Sequence, residues 1–216
     1  MKKLLVSATS TFLIAAASLW LSGCASAPSG GAYHVVAHRP QNPNNVRVDV
    51  STSTQHIYVM EGDRCLMAVQ GCVGENGKTP LGHFHVENKI RDKRSGSYGF
   101  TRSGEPAELS KGQNVAVGYP MGFWVEFAPA YGFHEGYVWS IPRTHGCIRL
   151  HKEAAARLFA LTKIGTPVNI ALAQPEDATV GKTVQRLDQH NDPNPPASRL
   201  MSESWFQDPP GQLLQE

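Results

Sequence analysis

A chain of 216 residues with 41% hydrophobic content can bury one good core but is too short for two full domains. Its 20 basic and 18 acidic side chains become 18 and 18 once Lys2 and Lys3 leave with the N-terminal segment, a balance that excludes nucleic acid as a partner. Residues 1–23 read as an export signal, charged at Lys2 and Lys3 and apolar from Leu13 to Leu21. The apolar run is short and is interrupted by serines and threonines, below the ~20 apolar residues of a membrane span. Residues 24–44, rich in Ala, Ser, Pro, Gly and Asn, read as a flexible tether with an end-to-end distance of roughly 25 Å.

Strand patterns follow. Val46, Val48 and Val50 alternate with Arg47, Asp49 and Ser51, and Gln55 to Met60 is rich in β-branched and aromatic residues. Glu61-Gly62-Asp63 reads as a hairpin turn, and further strands are expected at Cys65–Val73, His83–Asn88, Asn114–Tyr119, Phe123–Phe127 and Pro167–Leu172. In the last of these, Val168, Ile170 and Leu172 share one face. Lys152 to Ile164 places Ala154, Leu158 and Leu161 on one helical face, with Gly165 ready to end the helix. Cys65 and Cys72, on one strand and roughly 20 Å apart, lie beyond the reach of a disulfide and read as core thiols. Beyond Leu172 the chain turns polar and proline-rich, so residues 173–216 are expected to form a tail that wraps the domain or is left loose, with Trp205 and Phe206 docking it locally. The expected fold is mainly β with one short helix.

The chemistry concentrates in Gly132-Phe133-His134-Glu135-Gly136 and Thr144-His145-Gly146-Cys147-Ile148-Arg149-Leu150. A cysteine becomes a nucleophile when a nearby base populates its thiolate, and histidine titrates in the required range. These motifs resemble the catalytic domain of the YkuD-family L,D-transpeptidases, whose signature is a histidine followed by Ser/Thr-His-Gly-Cys-x-Asn/Arg. The resemblance runs from Val46 to Leu172. It includes the opening Val48-Asp49-Val50-Ser51, then Gly77-Lys78-Thr79-Pro80-Leu81-Gly82-His83-Phe84, and the closing Gly165-Thr166-Pro167-Val168-Asn169-Ile170. Only nine residues separate His134 from Thr144, fewer than the family usually has, so the connecting loop must be tight.

The resemblance implies a YkuD-like β-sandwich over residues 45–172, with the helix following the catalytic motif, and a peptidoglycan cross-linking activity. Cys147 would be the nucleophile and His134 its base, with the carbonyl of Glu135 fixing the imidazole tautomer. The amides of Gly146 and Cys147 would face the oxyanion, with Thr144 as motif support. His145 reads as a hydrogen-bonded scaffold residue, with a share in substrate binding as the alternative. Arg149 offers a planar fork for a stem carboxylate, or an internal ion pair. Most of the aromatic residues near the motif read as core, although Tyr131, Tyr137 or Trp139 could wall the donor groove. Thr79, Pro80 and Gly82 read as a turn without chemistry. Peptidoglycan stem peptides are the expected partner, and L,D-carboxypeptidase or peptidoglycan–lipoprotein amidase activity at the same Cys–His pair is the alternative. No cofactor is expected. A zinc site from His83, His85, His134, His145, His151 and Cys147 is disfavoured because their spacing matches no compact zinc signature. Finally, Leu21-Ser22-Gly23-Cys24 resembles a bacterial lipobox, which implies a chain lipidated at Cys24. Ala25 lacks the aspartate that retains such proteins at the inner membrane, so a lipid-anchored address at the outer membrane, facing the periplasm, is expected.

Overall fold

The valine-rich opening strand acquires partners on both edges. In a computed structural model that describes residues 33–216, β1 (Val46–Ser51) pairs antiparallel with β2 (His56–Glu61) and parallel with β12 (Pro167–Ala171). Between these run β3 (Arg64–Cys72), β4 (Gly82–His85), β5 (Asn88–Ile90), β6 (Arg94–Phe100), β7 (Pro106–Glu108), β8 (Val117–Pro120), β9 (Trp124–Ala128), β10 (Tyr131–Glu135) and β11 (Ile148–Leu150), with helix α1 (Lys152–Leu161) before β12. The main sheet has nine strands in the order β4-β12-β1-β2-β3-β11-β10-β9-β5, and β7-β6-β8 form a separate sheet of three. The edge strands β4 and β5 are joined only through Val86 and Glu87, so the main sheet must curl until its ends face. Phe84 of β4 meets Phe127 of β9 at 5.5 Å between ring centroids. The fold is mainly β, with its core of Val48, Val50, Ile57, Val59, Leu66, Phe133, Ile148, Leu150 and Ile170 inside the curl.

Helix α1 covers one side. His151 caps it by accepting from the Glu153 amide, and Ala154, Ala155, Leu158 and Leu161 are buried. It ends earlier than the apolar pattern suggests. Thr162 turns both its amide and its hydroxyl onto the Leu158 carbonyl, and the Lys89 ammonium donates to the Phe159 and Thr162 carbonyls, placing a cation at the negative end of the helix dipole. Leu172 lies past the end of β12 and is 67% exposed, so it does not share the buried face of Val168 and Ile170. Cys65 and Cys72 both lie on β3 and are buried.

One segment differs from the sequence reading, and the tail takes the wrapping alternative. Cys24, the export segment and the start of the tether lie outside the described residues, but residues 33–44 are not a free spacer, because Val35 and Ala37 belong to the core. The tail packs along its length. Asp177 accepts from the hydroxyls of Ser51 (2.7 Å), Tyr58 (2.7 Å) and Thr54 (3.1 Å), which explains why Ser51, polar and on the outer face of β1, is fully buried. Val184 joins Tyr58, Met60 and Cys65 in a second apolar cluster. Helix α2 (Ala197–Met201) buries Leu200, and the following 3-10 turn buries Phe206. Leu213 and Leu214 pack on the main core, where Gln215 pairs with His38.

Candidate active site

Strands β10 and β11 run parallel, with Phe133 opposite Ile148, His134 opposite Arg149 and Glu135 opposite Leu150. Phe133, Ile148 and Leu150 fill the core. Alternation therefore turns His134 and Arg149 to the outer face, together with Cys147 just ahead of β11. Tyr131 and Phe133 alternate with Gly132 and His134, but a glycine in the middle of so short a run weakens the strand signal. That glycine is required by Trp124 of β9, whose ring atom Cη2 would lie 2.9 Å from a Cβ at Gly132. The same Trp124 ring flanks His134 at 6.0 Å between centroids.

His134 is buried, and its Nδ1 lies 2.7 Å from the Glu135 carbonyl. Only a protonated Nδ1 can donate there, so Nε2 carries the lone pair. Burial, aided by the Arg149 charge and opposed by the Glu135 carbonyl, pulls the imidazole pKa down to about 4. Half-buried Cys147 donates its thiol toward the Ala130 carbonyl at 3.5 Å. Burial pushes this thiol up, while the Gly132 amide and Arg149 oppose the shift. At neutral pH both groups therefore rest uncharged, as thiol and imidazole, and not as thiolate and imidazolium. Ala130 reaches this position with φ +65°, a left-handed conformation unusual for alanine.

The loop before Cys147 is tied down by hydroxyls. Buried Thr144 accepts from the Gly146 amide at 3.1 Å and donates to the Cys147 carbonyl. The Gly146 N–H expected at the oxyanion is therefore already engaged. Gly146 instead permits a conformation and an approach: its φ is +127°, and a Cβ there would lie 2.4 Å from the Tyr131 ring and 2.8 Å from the Lys78 carbonyl. Thr79, read in sequence as a turn residue, is buried and bridges the loop. Its hydroxyl accepts from the Gly74 amide (2.8 Å) and donates to the Gly146 carbonyl (2.9 Å). The one signal for it was its place inside the Gly77–Phe84 motif.

Among the described residues His145 makes no hydrogen bond, against the scaffold reading. It is exposed and stacks on Tyr98 of β6, 5.5 Å between centroids, so the small sheet lies against the loop before Cys147. Arg149 makes no ion pair among the described residues. Its guanidinium lies 3.7 Å from Cys72 Sγ and 5.3 Å from the Trp139 ring centroid, and its buried Nε has no partner. Half-buried Tyr131 packs between the core and Gly146. Among the described residues, no group of three or more His, Cys, Asp or Glu is placed to hold a metal ion.

The family described as YkuD, L,D-transpeptidase catalytic domain, matches residues 45–170. No curated protein matches the chain. Among solved structures, an L,D-transpeptidase from Stackebrandtia nassauensis is similar at 17% identity and TM-score 0.46, covering 64% of this chain and 60% of its own. L,D-transpeptidase 1 of Mycobacterium tuberculosis is similar at 21% identity and TM-score 0.42, with coverages of 59% and 61%. An L,D-transpeptidase from Mycobacterium smegmatis is similar at 18% identity and TM-score 0.47, with coverages of 59% and 58%. This chain thus spans about three fifths of the length of each.

Proposed function

The chain belongs to the YkuD family of L,D-transpeptidase catalytic domains, and from that premise we propose that it transfers peptidoglycan stem peptides through a thioester on Cys147. The observation that carries this reading is the tautomer lock: Nδ1 of His134 is committed to the Glu135 carbonyl, which leaves Nε2 as a base on the face that also bears the Cys147 thiol. In the reaction, Cys147 Sγ attacks the carbonyl that joins the third stem residue to the terminal D-alanine, and its proton passes to His134 Nε2. The developing oxyanion faces the Cys147 amide, since the Gly146 amide is held by Thr144. The imidazolium then protonates the leaving nitrogen, D-alanine departs, and the thioester remains. An amine from a neighbouring stem attacks the thioester and gives up its proton to His134, and the thiol returns. Because both partners rest neutral, the proton moves during attack rather than before it.

Acylation by a carbapenem, followed by intact mass, tests the assignment. Cys147→Ala should abolish labelling, and His134→Ala should slow it ~10²–10⁴-fold, the usual effect of losing a general base. The double variant should be no worse than Cys147→Ala, because both groups serve one step. Equal labelling of His134→Ala and wild type at every pH removes His134 from the mechanism. The lipobox supports a chain lipidated at Cys24 and held at the outer membrane facing the periplasm. Cys24→Ala should release it to the soluble fraction, and a variant that stays with membranes refutes the anchor.

A further inference from the structure

Beyond Arg149 there is a cavity of about 190 Å³, lined among others by Glu135, Gly136, His151, Lys152, Arg199 and Trp205. The cavity lies at the ends of β10 and β11, where Gly136 follows Glu135 and His151 follows Leu150. The Arg149 stem runs over Gly136, where a Cβ would meet Arg149 Cδ at 2.8 Å. From Cys147 to His151 is roughly 13 Å of extended chain, a distance that a stem peptide lying along the strand would span.

The polar groups around this cavity are mostly donors. The Lys152 ammonium uses one N–H on the Trp205 carbonyl at 2.8 Å and keeps two. Exposed Arg199 meets the Trp205 ring at 5.7 Å and has no carboxylate in ion-pair contact among the described residues. His151 Nδ1 is engaged as the helix cap, which leaves Nε2–H. At the inner wall Glu135, only 5% exposed, faces the buried Trp205 indole N–H, which together with the Lys152 and Arg199 charges opposes the larger effect of burial on its carboxyl. Burial raises the Glu135 carboxyl to about 7, so below neutrality it too is a donor. Lys152 and Arg199, neither in ion-pair contact with a carboxylate among the described residues, and the His151 N–H border a space with room for roughly six waters, a setting complementary to an added anionic acceptor.

We propose that this cavity is a subsite for a carboxylate of the peptidoglycan stem, bound by Lys152 and Arg199, so that the C-terminal tail builds part of the substrate groove. The inference rests on the transpeptidase reading and extends it from the reacting bond to a carboxylate upstream of it. Stems carry several free carboxylates, and a bidentate guanidinium contact suits one of them.

The test uses the full chain and two probes: a tetrapeptide stem, and the same peptide with every carboxylate except that of its terminal D-alanine amidated. In D-alanine release, Arg199→Gln should raise KM for the free-carboxylate stem about tenfold or more, the effect of losing one charge-assisted contact. It should leave KM for the amidated peptide where wild type has it, and Arg199→Lys should recover part of the loss. Lys152→Gln should follow the same pattern. Alkylation of Cys147 by iodoacetamide, a neutral probe, should proceed at the wild-type rate in both. Equal KM values for the two peptides in wild type, or a shift of both alike in Arg199→Gln, overturns the subsite. Calorimetric binding of the free-carboxylate stem to Cys147→Ala separates this result from the transfer reading. Arg199-dependent binding without D-alanine release from wild type keeps the subsite and removes the transfer activity, whereas release indifferent to Arg199 does the reverse.

Discussion

Neighbouring residues His134 and Glu135 should pull stability in opposite directions with pH, and replacing one should expose the other. Glu135 is buried beside Lys152 and Arg199, and burial raises its carboxyl from 4.5 to about 7. Between those values the unfolded chain releases a proton that the folded chain keeps, so this contribution is fully present below 4.5 and is lost as pH rises to about 7. His134 behaves in the opposite sense. Its folded pKa lies near 4 against 6.5, so its contribution is present above 6.5 and is lost as pH falls toward 4. At about 1.4 kcal/mol per pH unit, each gap is worth roughly 3 kcal/mol, and in wild type the two slopes largely cancel across the mildly acidic range. Glu135→Gln keeps the size and the hydrogen-bonding groups but cannot ionise. Its unfolding free energy, from urea melts at closely spaced pH values, should fall by roughly 3 kcal/mol on acidification through the histidine window. The wild-type curve should fall less steeply there by the Glu135 share, because the lowered imidazoles of His56 and His151 act on both proteins alike. Parallel curves for the two proteins would mean that Glu135 ionises normally in the fold, and the reasoning from burial would fail.

Three further outcomes follow from the loop and the tail. Thr79→Val removes the partner of the buried Gly74 amide and of the Gly146 carbonyl. It should cost about 1–3 kcal/mol per orphaned group in a urea melt and also slow Cys147 acylation, whereas a loss of stability alone would reduce Thr79 to a packing role. Gly146→Ala pushes a Cβ into the Tyr131 ring and the Lys78 carbonyl at a positive φ, strain of about 1–3 kcal/mol. Carbapenem labelling should therefore drop sharply in protein that still melts cooperatively, and full labelling would show that the loop relaxes freely. A stop after Gln174 removes the Asp177 hydrogen bonds and the buried Val184, Leu200 and Phe206. At about 1.5–3 kcal/mol per buried apolar side chain against a total of ~5–15 kcal/mol, the product should show no cooperative melt, and a normal melt would make the tail dispensable for folding.

Strands whose residues repeat an apolar period were legible in sequence: β1, β2 and β12 carry Val or Ile at the positions that face the core. The strand that carries His134 was not legible. In β10 Tyr131 and Phe133 alternate with Gly132 and His134, but the glycine that the bulk of Trp124 requires is disfavoured in strands and masks so short a period. The three-residue β11 is too short for a period to register. The expected chemistry of Cys147 and His134 could be named from their motifs, but hydrogen-bond direction could not. Sequence offered Gly146 as an amide donor, and only the position of the Thr144 hydroxyl shows that this amide is engaged.

The tail was open to two readings for a related reason. Apolar content is low in residues 173–216, so by composition a wrapped tail and a loose end look alike. A short connection between His134 and Thr144 needs something else, because its backbone and side-chain polar groups must find partners within a few residues. The tail supplies them. Val138 and Gln189 exchange two hydrogen bonds: the Gln189 amide donates to the Val138 carbonyl at 2.8 Å, and the Val138 amide to Gln189 Oε1 at 3.1 Å. The Ser140 hydroxyl donates to Asp188 and the Tyr137 hydroxyl to the Pro193 carbonyl, both at 2.7 Å, and Trp139 meets His190 edge-on at 5.1 Å. Polar and proline-rich content thus suits a segment whose role is to satisfy a tight loop rather than to enlarge the core. The same segment carries Arg199 and Trp205 to the cavity beyond Arg149, so the departure in loop length beside the catalytic motif and the presence of a packed C-terminal tail are two sides of one arrangement.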